Sequence, residues 1–340
     1  LGPSLLGRLS PDLATVLLPA KAAPFLGVIS QLGVILYMFL VGLELDLRVL
    51  HSRVAVTVAI SVTSIVVPFA MGAWLAWTLF DRLAPLGVGF TSFALFLGVS
   101  MSITAFPVLA RILGDRGLQR TPMGVVALTC AAINDAIAWC LLAFVVGVTQ
   151  ATTSAAVQTV VLTAAYIALM LTAGRRAMTA MVERFDASPR IGERTLELVL
   201  VAVLLSAVAT EFIGIHAILG AFLIGAIIPH ESVIAKHVTE RLADIVRVMF
   251  LPAFFAFTGL RTEIDLVQGL DDWLLCAAII GVATAGKFGG TLVASKLAGL
   301  DWRDSAALGI LMNTRGLECW ERNTDTYKAR GAGWKIGAGK

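Results

Sequence analysis

Apolar stretches long enough to cross roughly 30 Å of hydrocarbon recur along almost the whole chain. They fall near 25–43, 54–80, 90–109, 121–148, 154–174, 195–212, 214–229, 247–260, 273–295 and 304–317, with the eighth and tenth short. This repetition constrains the fold more than any other feature. The chain reads as an all-α, polytopic membrane protein. Composition agrees: hydrophobic residues make up 58%, charged residues 14%, and mean hydropathy is +0.87. A soluble protein has too little interior for that much apolar surface. The net charge of +3 is too small to point to nucleic acid.

The connecting loops orient the spans. Lys and Arg number two in 44–53, one in 81–89, three in 110–120, none in 149–153 and five in 175–194. The series continues with none in 212–214, two in 231–246, one in 261–272 and two in 296–303. High and low alternate, so the positive-inside rule puts 44–53, 110–120, 175–194, 231–246 and 296–303 in the cytoplasm. The expected location is the plasma (inner) membrane. Glu231 to Val246 is charged and amphipathic, which predicts a segment along the membrane surface. Cys130, Cys140, Cys276 and Cys319 have neither metal-ligand nor disulfide spacing and read as small apolar residues. The opening Leu1-Gly-Pro-Ser-Leu-Leu-Gly-Arg8 has neither an initiator Met nor a basic leader. Residues 1–24 are expected to be an extracytoplasmic lead-in whose preceding helices are missing.

Phe39-Leu-Val-Gly-Leu-Glu-Leu-Asp46 is echoed by Phe257-Thr-Gly-Leu-Arg-Thr-Glu-Ile-Asp265, with one inserted residue. The first copy ends an inward helix and the second an outward one. Related segments of opposite orientation are the mark of an inverted-topology transporter.

Four places in the spans carry unexpected polarity. Asn134 and Asp135 lie at the middle of the fourth span, where a charge costs ~2.5–3.5 kcal/mol on insertion scales. Ala131, Ala132, Ala138 and Trp139 stand three and four residues away, and the three alanines let backbone or a cation approach. The alternative is a structural hydrogen bond between helices, which Asn alone would serve. Lys287, in Ala285-Gly-Lys-Phe-Gly-Gly290, is a second intramembrane charge and a natural partner for a carboxylate. Its alternative is snorkelling to the interface, a reach of roughly 13 Å. The third span ends in Ser100-Met-Ser-Ile-Thr-Ala-Phe-Pro-Val108, where Pro107 predicts a helix break beside Ser102 and Thr104. The tenth contains Asn313-Thr-Arg-Gly316, Thr314 and Arg315 included, a second polar interruption. Two broken helices meeting at midplane would offer dipole ends and free carbonyls to an ion; a proline kink and a helix terminus are the plainer reading. Gln31, Glu211 and His216 read as packing or interfacial residues, and Glu44 and Asp46 as carboxylates at a cytoplasmic mouth.

With these residues assembled, the chain resembles the second branch of the monovalent cation:proton antiporters. That group includes sodium/proton antiporters, glutathione-gated potassium efflux systems and plant cation/proton exchangers. The resemblance runs from residue 1 to Leu317. It rests on Gly42-Leu-Glu-Leu-Asp46, Ser102-Ile-Thr-Ala-Phe-Pro-Val-Leu-Ala110, Asn134-Asp135, Gly286-Lys287 and Asn313-Thr-Arg-Gly316. It implies an inverted-repeat antiporter fold with two discontinuous helices, incomplete at both ends, and alternating access. The implied core covers about 54–148 and 273–317, and a dimerisation scaffold about 25–43 and 195–260, within a transporter domain of 25–317. Asp135 is then the residue that binds Na+ or K+ and H+ competitively, beside Asn134, Ser102, Thr104 and Lys287. Pro107, Asn313, Thr314, Arg315 and Gly316 belong to the unwound helices. The resemblance implies no cofactor beyond the transported ions, a homodimer, and a lipid setting.

Two departures bear on the expectation. Many bacterial relatives have two aspartates where this chain has Asn134 and Asp135, so exchange is expected to be electroneutral unless Lys287 itself releases a proton. After Leu317 the family continues with an apolar helix, whereas Glu318 to Arg330 is polar here. A truncation or altered frame is expected there, leaving 318–340 an atypical tail and the core incomplete. Competing readings are a gated potassium efflux channel, an inactive fragment, or a membrane-embedded enzyme. The chain lacks the HExxH pattern, and His51, His216, His230 and His237 lie near loops or span ends, so no enzyme is expected.

Overall fold

The computed structural model describes residues 23–45, 54–84, 88–149, 153–186, 193–229, 231–260 and 269–314. Every element among them is helical. In chain order these are α1 (Ala23–Glu44), α2 (Val54–Leu83), α3 (Phe90–Ser102), α4 (Phe106–Asp115), α5 (Pro122–Thr149), α6 (Thr153–Leu169) and α7 (Arg175–Asp186). Then come α8 (Glu193–Ile213), α9 (Ala217–Ile227), α10 (Val233–Ile245), α11 (Leu251–Leu260), α12 (Gly269–Leu297) and α13 (Trp302–Met312). Single π-helical stretches, Met170–Gly174 and Val246–Phe250, join α6 to α7 and α10 to α11 without interruption.

Among the described residues, eight helical runs are long and apolar enough to cross a membrane. The expected seventh span is the shorter helix α9, and the tenth is represented by α13, with 315–317 outside the described residues. Two expectations change. The stretch expected to lie separately along the membrane, Glu231 to Val246, instead runs as α10 straight into the eighth span, forming one 28-residue helix Val233–Leu260. The loop 110–120 begins with the last two turns of α4. The Asp46 and 261–265 ends of the internal repeat lie outside the described residues.

The chain divides into two compact units. The first contains α1, the helical run from Tyr166 through α7, and α8 to α11. Its centre is α9, apolar on every side and buried at all eleven positions. Such a helix needs its polar ends finished locally. Gly214, at φ +99, turns the chain. The Ala217 amide then donates to Glu211 Oε2 (3.2 Å), and Ile218 N–H donates to His216 Nδ1 (3.3 Å). Glu211 and His216 are therefore caps rather than packing residues. Helix α1 crosses α9 at Gly42, where a Cβ would lie 2.3 Å from the Phe222 carbonyl oxygen. Ser206 Oγ donates to the Gly220 carbonyl (2.6 Å), so the Tyr166 hydroxyl, 2.5 Å away, must be the donor to Ser206.

The second unit contains α2 to α5, the first part of α6, and α12 and α13. Helices α2 and α3 form a hairpin closed by Phe80, which meets Phe90 and Phe93 edge-to-face at 5.5 and 5.7 Å. Helix α12 runs antiparallel to α2. Arg82 meets Asp272 at 3.4 Å at one end, and Gly286 lies against Pro68 near the middle. Val99, Ile103, Ala138 and Val145 pack α3 onto α5.

Candidate ion-binding site

The centre of the second unit is a gap in a helix. Ile103 and Ala105 are extended or non-helical (φ −72, ψ 141 and φ −76, ψ 88), separating α3 from α4. The break lies upstream of Pro107, which occupies the first turn of α4, where its missing N–H costs no helical bond. The proline starts the second half-helix; it does not distort the first.

The gap is tied on several sides. Ser102 Oγ donates to the carbonyls of Gly98 (2.7 Å) and Ile65 (3.1 Å). Ala105 N–H donates to the Thr314 carbonyl (2.9 Å), and Thr104 Oγ1 to that of Met312 (3.4 Å). Thus the end of α13 meets the break directly. Helix α13 stops there: Asn313 leaves helical geometry at φ −84, ψ 9, and Thr314 Oγ1 turns back to the Leu311 carbonyl (3.1 Å). Arg315 and Gly316 lie outside the described residues.

Asn134 comes from the middle of α5 and is fully buried. With its amide oxygen towards α2's hydroxyl, it accepts from Ser64 Oγ (2.9 Å), while its Nδ2 donates to the carbonyls of Ser61 (3.0 Å) and Cys130 (3.3 Å). The reverse orientation would aim its oxygen at two carbonyls, so the hydrogen-bond pattern assigns the first. In this orientation the amide oxygen lies 3.3 Å from Thr104 Oγ1, which brings α5 beside the break. Asp135, the next residue, is 5% exposed among buried Ala131, Ala132, Ala138 and Trp139.

Lys287 is 0% exposed on α12, and its ammonium donates to the Ser102 carbonyl at the end of α3. Small neighbours make this possible. A Cβ on Gly286 would lie 2.8 Å from Met71 Sδ and 3.0 Å from Pro68 Cα, so glycine lets α12 close on α2. Pro68 also has no N–H for the carbonyl of Ser64, leaving one more oxygen near the site without its helical donor.

Ser102, Thr104, Asn134, Lys287, Asn313 and Thr314 thus converge on one interrupted segment. The sequence reading did not single out Ser61 and Ser64. Their signal was present: Thr57, Ser61 and Ser64 recur at intervals of four and three in an otherwise apolar span, which marks one polar face. The assembly offers carbonyls and hydroxyls in a low-dielectric interior, and the helix that brings Asn134 to it carries the buried Asp135 beside it. That is an oxygen-rich setting suited to a hard monovalent cation or a proton.

Known proteins bear on this arrangement. The chain is 41% identical over 319 residues to the Na(+)/H(+) antiporter NhaS4 of Synechocystis sp., covering 93% of this chain and 78% of that protein. It is 36% identical over 319 residues to cation/H(+) antiporter 17 of Arabidopsis thaliana, and 34% over 327 residues to K(+)/H(+) antiporter 1 of Saccharomyces cerevisiae. It spans only 39% and 37% of the length of those two. The family profile described as sodium/hydrogen exchanger, transmembrane, matches residues 1–317. With matches covering nearly the whole membrane region, this chain belongs to the sodium/hydrogen exchanger transmembrane family.

Proposed function

We propose that the chain exchanges a monovalent cation for a proton across the membrane, with Asp135 binding one or the other. The observation that carries this reading is the convergence of Asn134, Thr104 and Lys287 on the Ser102–Ala105 break. A buried carboxylate is costly unless neutralised. A proton neutralises it covalently and a cation does so by coordination, and the two compete for the same oxygens. Competition at one site is sufficient for obligatory exchange when the site faces one side at a time. The relatives' names support the substrate class, since they include sodium/proton, cation/proton and potassium/proton antiporters.

In this reading Asn134, held by α2 and α5, keeps Asp135 and Thr104 in register. Lys287 supplies the positive charge that stabilises the empty carboxylate. The second unit is the ion-binding core and moves against the first, which forms the dimer scaffold. One intramembrane carboxylate per site gives electroneutral exchange, one cation per proton.

The test is cation-induced collapse of a proton gradient in everted vesicles, comparing the chain with Asp135→Asn at matched membrane levels. Dequenching with sodium or potassium that vanishes in the variant supports the reading. A response that persists in Asp135→Asn, or no response from correctly inserted wild type, refutes it. Transport that generates a membrane potential refutes electroneutrality alone.

A further inference from the structure

The second unit contains a line of buried hydroxyls that the site above does not use. Thr291 and Ser295 follow Lys287 at intervals of four on one face of α12, and all three are 0% exposed. Ser305, also 0% exposed, joins them from α13. The register follows from Gly309, whose Cβ would lie 2.9 Å from the Phe288 ring. Four residues nearer the connecting turn, Ser305 stands level with Leu292, between Thr291 and Ser295. The Lys287 ammonium lies beside the Gly286–Gly290 stretch of α12, just short of Thr291. It bonds to Ser102, which Ile65 holds, and the residues flanking Ile65 face α12 at Gly286 (Pro68) and Gly290 (Thr63, Val67).

Hydroxyls in these helices normally turn onto a backbone carbonyl three or four residues back. Ser61, Thr129, Thr163 and Ser295 all do so at 2.6–2.8 Å. Thr291 Oγ1 and Ser305 Oγ make no hydrogen bond although buried. Two unpaired hydroxyls in one layer are expensive, and water is the smallest group that can satisfy both. The spacing fits. Four residues of helix rise about 6 Å, close to two hydrogen bonds of about 2.8 Å end to end, so one water bridges successive hydroxyls. The line ends beside Asp301, Arg303 and Asp304, exposed charges that mark an aqueous surface.

We propose that Thr291, Ser295 and Ser305 line a hydrated conduit through which Lys287 exchanges protons with the solution at the α12–α13 end. This route is separate from the one by which a cation reaches Asp135. The Lys287 ammonium releases its proton to the first water. Each hydroxyl or water then accepts a proton on a lone pair and passes its own onward, until the proton leaves at the surface and the neutral amine remains. The proton that Asp135 yields to a cation passes to that amine, so one proton still moves per cation. The inference rests on the antiport reading for what the proton does, and on the unpaired hydroxyls for where it goes.

Two measurements on the full chain in proteoliposomes test it. In the first, Thr291→Cys and Ser305→Cys are treated with a small charged methanethiosulfonate from either side, with Val293→Cys, exposed on another face of α12, as the lipid-facing control. Modification of the first two thiols from the α12–α13 side, with the control unmodified, is expected. Unreactive thiols mean a dry seam and overturn the conduit. In the second, Thr291→Val with Ser305→Ala lowers cation-driven proton flux about tenfold, the rate equivalent of one lost buried hydrogen bond. The half-saturating cation concentration stays the same, and Thr291→Ser retains the flux. Unchanged flux in the double variant overturns the conduit even if the thiols react. If the parent chain shows no cation-driven flux, the antiport reading fails, while the labelling result still decides whether the line is hydrated.

Discussion

The two units solve the same solvent problem with opposite chemistry. In the first, α9 is buried at every position and α1 meets it through Gly42 at backbone distance. Its buried polar side chains among the described residues are Ser30, Ser206, Thr210 and Ser232. Ser206 and Thr210 donate their hydroxyls to the carbonyls of Gly220 and Ala207, and Ser232 Oγ accepts from the Ala235 amide. Among the described residues the second unit holds the two buried charges, Asp135 and Lys287, together with Asn134, a broken helix, and hydroxyls on Thr57, Thr291 and Ser305 that have no hydrogen bond. One unit is packed as an apolar solid, the other keeps charges and unpaired hydroxyls in its interior. Satisfied apolar packing fixes a shape, whereas unsatisfied polar groups in a dry interior are useful only where something must bind or pass.

That contrast can be broken most sharply at Asp135. Asp135→Asn should reduce cation-coupled proton flux in vesicles to the level of empty membranes, with detergent-extracted protein as monodisperse as wild type. A large loss of folded protein instead would make Asp135 a structural residue. The mirror experiment is Gly42→Ala in the first unit. Its Cβ overlaps the Phe222 carbonyl, so overpacking of about 1–3 kcal/mol is expected. It should appear as a lowered melting temperature with the half-saturating cation concentration unchanged.

Ser64→Ala tests whether the second unit's polar bonds are tuned for transport. It removes one hydrogen bond to the Asn134 amide, worth about 1 kcal/mol in stability. The expected result is a shifted cation preference measured by sodium and potassium titration, with only a small change in melting temperature. The smallest effect is expected for Arg82→Gln. Arg82 and Asp272 are half-exposed (52% and 42%), so losing their pair should cost no more than about 1 kcal/mol, further reduced by salt. A larger loss by thermal denaturation would mean the α2–α12 seam depends on that end and not on Gly286.

Much of this was legible in the sequence. The helical class followed from the length of the apolar runs, and Asn134, Asp135 and Lys287 were conspicuous because charge and amide are rare at mid-span. The position of the break was only partly legible. Pro107 drew attention to the right segment, but a proline in the first turn of a helix is comfortable, and the unwinding lies at Ile103–Ala105. Ser61 and Ser64 were hidden because a hydroxyl in a membrane helix commonly bonds its own backbone, and only the approach of α5 gives them Asn134. The capping bonds of Glu211 and His216 were hidden for a related reason: capping depends on which residue stops being helical, and that is decided at Gly214.

The sequence by itself determined that the chain lives in lipid as helices and that a few polar residues would be forced to share its interior. Composition and periodicity carry that information because the cost of exposing apolar surface to water, or charge to lipid, is paid residue by residue. Only the tertiary structure decided who the partners are. It joined Thr314 to Ala105, Asn134 to Ser61 and Ser64, and Lys287 to the carbonyl of Ser102, across separations of 70 to 209 residues that no local pattern encodes. Those contacts depend on how closely helices approach, and glycines such as Gly286 set that distance.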